Sequence, residues 1–210
     1  DTSSELELIV AGDTKSLSHI AINAGATHAT TLIQNIDTCL QSINITIHQI
    51  EGICAGIGPG SFTGIRIGVA TARMLAQALD IPIVGIHTPL LFAHAVQSHV
   101  NDNILIAFDA KKGKIFGALY CKDKHELLIE IVQPGDYTIE TILNSVNKTN
   151  NTICIGNGIQ KYEEEISENL EFITIIEDLN PDTMKIYELS KKALLEAKET
   201  GFNSVLQHSF

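Results

Sequence analysis

Chemistry would first be sought in the stretch Gly58-Pro59-Gly60-Ser61-Phe62-Thr63-Gly64. A short apolar strand, Ile53-Cys54-Ala55-Gly56-Ile57, then a glycine-rich turn, then a helix is a layout that presents free N–H groups to an anion. The details point away from a phosphate cradle. No Gly-Lys-Ser/Thr follows and no Lys lies near, so this is not a Walker A loop. Gly56, Gly58, Gly60 and Gly64 lack the dinucleotide-binding spacing, and Pro59 removes a donor. The plainer reading is a strained turn opening a tightly packed helix, with Gly60 a candidate for positive φ. Within that helix Gly64, Gly68, Ala72 and Ala76 recur every four residues, a stripe of small residues that lets another helix come close. Arg66, Arg73 and Gln77 share a separate face. Composition does not choose between internal packing and a partner surface.

Elsewhere the reactive residue types are scattered. The eight histidines include no HxxxH or HExxH pair, and His94 and His99 do not share a helical face. His28, at the head of the first helix, reads as a surface or capping residue. Ser61 lies outside any GxSxG elbow and has no His or acid beside it in sequence. Cys39, Cys54, Cys121 and Cys154 stand apart among apolar neighbours, which fits buried thiols in a reducing compartment. Glu163-Glu164-Glu165 reads as a solvated helix face. The residues therefore nominate no catalytic group and no metal ligand.

The elements that must position these residues alternate between strand and helix. Strands are predicted over 6–11 and 16–22 around a Gly12-Asp13 turn, then a helix over 26–43 carrying Leu32, Ile33, Ile36, Cys39, Leu40 and Ile43. Strand 53–57, a helix to Leu79, strand 83–86 and a helix opened by Thr88-Pro89 complete the first half. After the polar break 101–103 come strands 104–108, 114–120 and 127–132 and a helix 138–146. Strand 153–155 then leads through Gly156-Asn157-Gly158 into a Glu-rich helix, followed by strand 172–176 and a long amphipathic helix from Asp182 to Lys198. This order predicts an α/β sheet protein. The 210 residues suit one or two domains. A net charge of −11 argues against gripping a nucleic acid unaided. No membrane-length apolar run and no basic leader is present, so a soluble cytoplasmic protein is expected.

The two halves rhyme. Asp1-Thr2-Ser3-Ser4-Glu5-Leu6 and Asp109-Ala110-Lys111-Lys112-Gly113-Lys114 each set an Asp before a polar turn and a strand. A duplicated α/β unit of this kind suggests the two-lobed actin, Hsp70 and sugar-kinase (ASKHA) fold, where the Asp pair faces a nucleotide in the cleft. Lobe one is expected over 1–101, completed by the helix 182–200, and the smaller lobe two over 102–181. The analogy also leads one to expect a strand before Asp1. Ser3 and Lys111 occupy the positions where kinase-type loops carry glycine to admit phosphate. The scaffold thus looks like that of a nucleotide enzyme, with its phosphate loops incomplete.

A longer run, from Gly58 through Ile65-Arg66-Ile67-Gly68-Val69-Ala70-Thr71-Ala72-Arg73, closely resembles the TsaB (YeaZ) family. Those proteins are needed for threonylcarbamoyladenosine modification of tRNA. Asp1-Thr2-Ser3, His28, Ile81-Pro82-Ile83-Val84-Gly85-Ile86 and Asp109-Ala110-Lys111-Lys112-Gly113 extend the likeness over residues 1 to about 120. Ser204-Val205-Leu206-Gln207-His208 only faintly echoes the family's usual ending.

The resemblance implies a non-catalytic scaffold that activates the transferase subunit TsaD, joined by the ATPase TsaE. The complex modifies the adenosine beside the anticodon of tRNAs reading ANN codons. The helices of the first lobe would form the partner interface, through His28, Leu32, Ile33, Ile36, Arg66, Gly68, Ala72, Arg73 and Ala76. Ala72 is expected to face outward, and an isolated chain is expected to cover the same patch as a homodimer. No tightly bound cofactor is expected; ATP or ADP would enter at the complex interface, and tRNA only through the complex. An ATP-dependent phosphotransferase of the same superfamily is the alternative. A metallopeptidase, a label sometimes attached to TsaD relatives, is a third reading, disfavoured by the lack of a ligand pair.

Overall fold

The architecture comes from a computed structural model, which describes residues 1–3, 6–13, 15–23, 28–96, 98–125, 127–176 and 182–200. The first residues of the expected helix 26–43 and the segment 204–208 lie outside that set. The chain forms two compact units: Asp1–Thr88 with Pro181–Phe210, and Pro89–Asn180. The division falls between Thr88 and Pro89, at the first residue of the third helix, and not at the polar break 101–103.

The first unit holds β1 (Leu6–Gly12), β2 (Leu17–Asn23), α1 (His28–Gln41), β3 (Ile53–Gly56), α2 (Phe62–Leu79), β4 (Ile83–Ile86) and α7 (Thr183–Thr200). Strands β1 and β2 pair as a hairpin from Leu6↔Asn23 to Gly12↔Leu17, so the turn is longer than Gly12-Asp13. Asp13 closes it, its Oδ1 accepting the N–H groups of Lys15 and Ser16, both at 2.7 Å. Strands β3 and β4 pair in parallel across the α2 crossover. Helix α7 packs against β1, β2, β3 and β4 within this unit. Its Ile186 and Ala197 are buried, as are Leu8, Leu32, Leu40, Ala55 and Val84 of the same unit. A short 3₁₀ turn, Ile47–Gln49, follows α1, where the sequence pattern predicts no element.

The second unit is a five-stranded sheet in the order β7-β6-β5-β8-β9. Its strands are β5 (Asn103–Lys111), β6 (Lys114–Lys122), β7 (Leu128–Tyr137), β8 (Thr152–Ile155) and β9 (Ile173–Ile176). Helix α3 (Thr88–Ala95) precedes them, and α4 (Ile139–Leu143), α5 (Asn157–Lys161) and α6 (Glu163–Asn169) lie between strands. The continuous apolar run Ile104-Leu105-Ile106-Ala107-Phe108 is explained by a strand buried on both faces. Leu105 and Ala107 join Ile142, Ile159 and Ile166 on one side. On the other, Phe108 meets Phe92 of α3 edge to face, with ring centroids 5.0 Å apart.

Candidate functional site

In the first unit a hydroxyl network surrounds the Asp1 carboxylate. Oδ1 accepts from the Ser3 N–H and Ser3 Oγ, each at 2.8 Å, and Oδ2 from Thr88 Oγ1 at 2.6 Å. Ser3 Oγ and Thr88 Oγ1 are 2.7 Å apart. Thr88 Oγ1 also accepts the Gly58 N–H at 3.1 Å, while the Thr88 N–H donates to Gly58 O at 2.9 Å. Thr88 ties β4's end to the glycine-rich turn, and Ser3 ties the segment before β1 to both. Gly56 stands against this carboxylate, where any Cβ would overlap Asp1 Oδ2.

The glycine-rich turn is fixed from the same side. The Ser61 N–H donates to Ser3 O at 2.6 Å, and Ser61 Oγ caps α2 by accepting the Gly64 N–H at 3.3 Å. Positive φ falls on Gly58, at +84°, and not on Gly60. Gly60 is needed for space: a Cβ there would overlap the Ser3 carbonyl. The small-residue stripe proves to face the chain itself. A Cβ on Gly64 would strike Thr2 O, one on Gly68 would strike Thr2 Oγ1, and Ala72 and Ala76 are buried. The segment before β1 takes the room that Gly64 and Gly68 leave, and the burial of Ala72 overturns its outward-facing placement. Ala72 and Ala76 have almost no open surface to give a partner, while Gly68 is half-buried. Leu32 is likewise buried, directed into the core by α1's apolar stripe.

The outer faces of α1 and α2 are formed by other residues. Ile33 is 51% exposed, Phe62 67% and Met74 55%. Arg66 and Arg73 are exposed on α2, and Ile36 is half-buried on α1. The Arg66 guanidinium carbon stands 3.8 Å from the centroid of the Phe62 ring, a contact worth about 0.5–1 kcal/mol at an exposed site. His28 opens α1, but its side chain lies outside the described residues. Glu7, from β1, is fully buried and anchors α1: Oε1 accepts Asn35 Nδ2 at 2.7 Å and Oε2 accepts Thr31 Oγ1 at 3.2 Å. Nothing in the strand pattern marked Glu7 as more than a polar position.

In the second unit, Asp109 at the end of β5 is clamped by lysines. Oδ2 accepts Lys111 Nζ at 2.8 Å; Oδ1 accepts Lys161 Nζ at 2.9 Å and the Lys111 N–H at 2.9 Å. Asn157 Oδ1 accepts the Asp109 N–H at 3.0 Å, joining the Gly156-Asn157-Gly158 bend to the same point. Bonding to Lys111 first and Lys161 second holds the Asp109 carboxyl well below the usual carboxylate range, and Lys161 is raised in return. A depressed folded-state value stabilises above the unfolded value of about 3.9 and loses that contribution as pH falls through the folded one. Asp109→Asn should therefore be less stable than the wild type at pH 6. The gap should shrink steadily below about pH 4 in acid-unfolding curves followed by circular dichroism. A constant gap between pH 2 and 6 would show that the charges contribute nothing.

Asp1 and Asp109, the expected cleft pair, thus each have their oxygens engaged within their own unit. Among the described residues no group of three His, Cys, Asp or Glu side chains gathers as a metal site, and no helix is long and apolar enough to cross a membrane.

Residues 21–199 match the family described as TsaD, tRNA N6-adenosine threonylcarbamoyltransferase. Among curated relatives, the tRNA threonylcarbamoyladenosine biosynthesis protein TsaB of Haemophilus influenzae is 27% identical over 164 residues, 72% of this chain and 67% of that protein. TsaB of Buchnera aphidicola subsp. Schizaphis graminum is 30% identical over 158 residues, covering 71% and 72%. The solved YeaZ from Pseudomonas aeruginosa superposes with a TM-score of 0.74 at 18% identity, over 94% of this chain and 91% of that one. The superposition shows the YeaZ fold, and with the match to the TsaD family model it bears out the expected actin, Hsp70 and sugar-kinase class. By sequence match, relatives and fold together, the chain belongs to the TsaB (YeaZ) family, within the wider tRNA N6-adenosine threonylcarbamoyltransferase family.

Proposed function

We propose that the chain serves tRNA threonylcarbamoyladenosine biosynthesis as a non-catalytic scaffold that activates a TsaD-type transferase, with a TsaE-type ATPase completing the complex. The observation that carries this reading is the state of the two aspartates. Asp1 accepts three hydrogen bonds from Ser3 and Thr88, and Asp109 three from Lys111 and Lys161, so each carboxylate is mostly engaged by its own unit and has little left to offer a metal. In this reading nucleotide is bound by the assembled complex in the cytoplasm, and the isolated chain turns over no ATP. The phosphotransferase alternative predicts ATP loss from the pure chain, which a nucleotide assay decides.

The partner surface in this reading is the exposed face of α1 and α2: Ile33, Phe62 and Met74 with Arg66 and Arg73. Ile33→Arg should abolish co-elution with the transferase subunit on size exclusion, and any homodimer of the isolated chain with it. Its melting temperature should stay close to wild type, since exposed substitutions usually change stability by less than about 0.5 kcal/mol. Retained binding by Ile33→Arg would move the interface elsewhere.

A further inference from the structure

The turn joining β5 to β6 carries a basic group that the scaffold reading leaves unused. Lys111, at the end of β5, and Lys112 and Gly113 after it have φ of +66°, +52° and +76°, three successive residues in the left-handed region. For the two lysines that conformation is strained backbone. Gly113 faces open space, and Lys111 and Lys112 are exposed. Lys114 follows, paired to Asp136 at 3.0 Å, and Lys161 arrives from α5 through Asp109. One carboxylate therefore holds two ammonium groups side by side, each with N–H donors to spare. Four lysines less Asp109 and Asp136 leave a local charge of +2 in a chain whose net charge is −11. The next helix opens on Glu163, Glu164 and Glu165, so the positive ground is small.

A polyanion approaching so acidic a chain is repelled everywhere except where cations are locally in excess. We propose that the Lys111–Lys114 turn, together with Lys161, is where this chain itself touches the phosphate backbone of the RNA, at one or two phosphates. The proposal rests on the tRNA reading above. It amends the expectation that tRNA is met only through partner subunits.

The test uses the complex of the full chain with its transferase partner. Labelled tRNA is titrated by fluorescence anisotropy between 50 and 200 mM salt, about the range over which phosphate contacts show their salt dependence. The variants are Lys112→Glu, Lys161→Gln and, as a control, Lys148→Glu, an exposed lysine of another loop that alters net charge as Lys112→Glu does. Lys112→Glu should weaken binding by about tenfold and flatten the slope of log K against log salt by about 1. Lys161→Gln should move both in the same direction by less, and Lys148→Glu should change neither. Equal behaviour of Lys112→Glu and Lys148→Glu, whether both unchanged or both weakened, would overturn the proposal. Nucleoside analysis of the same tRNA separates the two readings. A wild-type complex that modifies tRNA while the patch variants bind like wild type refutes this contact alone. A wild-type chain that supports no modification refutes the scaffold role.

Discussion

Gly64→Ala is expected to destabilise the first unit by about 3 kcal/mol, the balance of two opposing effects. In a helix interior alanine is favoured over glycine by about 1 kcal/mol, so propensity alone predicts a gain. The new Cβ, however, would overlap Thr2 O and stand 3.0 Å from Thr2 C, both backbone atoms. That backbone cannot withdraw freely. Thr2 Oγ1 donates to Gly64 O at 2.8 Å and Ser3 O accepts the Ser61 N–H at 2.6 Å. Moving the segment would loosen both bonds, and the overlap outweighs the propensity gain. A melting temperature lower by about 10 °C should follow. Gly68→Ala makes the contrast, because its Cβ would meet the Thr2 hydroxyl, a side-chain atom whose turning gives up its bond to Gly64 O but leaves the backbone in place. It should cost less. Equal melting temperatures for Gly64→Ala and wild type would mean that the segment before β1 is not held against α2.

Thr88→Val is expected to cost a similar amount by a different route. The substitution keeps the shape and removes a fully buried hydroxyl. It strands the Gly58 N–H, at about 1–3 kcal/mol for a buried donor without a partner, and takes a donor from the Asp1 carboxylate. Thr88→Ser retains the hydroxyl and loses one methyl, worth about 0.8 kcal/mol. Thermal unfolding should therefore rank wild type, Thr88→Ser and Thr88→Val in that order, with the larger gap before valine. If serine fell as far as valine, the methyl group's packing would be the important feature, and the hydroxyl network would contribute little.

Element order and most element limits were legible without coordinates, because they follow from local rules. The predicted helix to Leu79 ends there, on Asp80 at φ +54°. Strand 83–86 and the Thr88-Pro89 helix start also agree. Strand β7 runs on to Tyr137, past the predicted end at 132. Its pairing with β6 shifts register at Gly117/Leu119 and at Leu119/Tyr120, and irregular pairing of this kind leaves no period-two pattern to read.

What the chain's own letters determined is the set of elements, the glycine-rich turn and the family signature, all carried by residues close together in sequence. The direction of each face was decided only by the tertiary structure. A four-residue recurrence of Gly64, Gly68, Ala72 and Ala76 states that something approaches closely; it does not say whether a partner or the chain itself does so. The fold brought Thr2 there, 62 residues from Gly64. Thr88 was legible as a helix start, and its bond to Asp1, 87 residues away, was not. Lys161, 52 residues from Asp109, left no sequence signal of its role either. Short-range periodicity encodes local conformation and burial. Hydrogen bonds and ion pairs between distant residues depend on how the elements dock, and only the assembled fold specifies that.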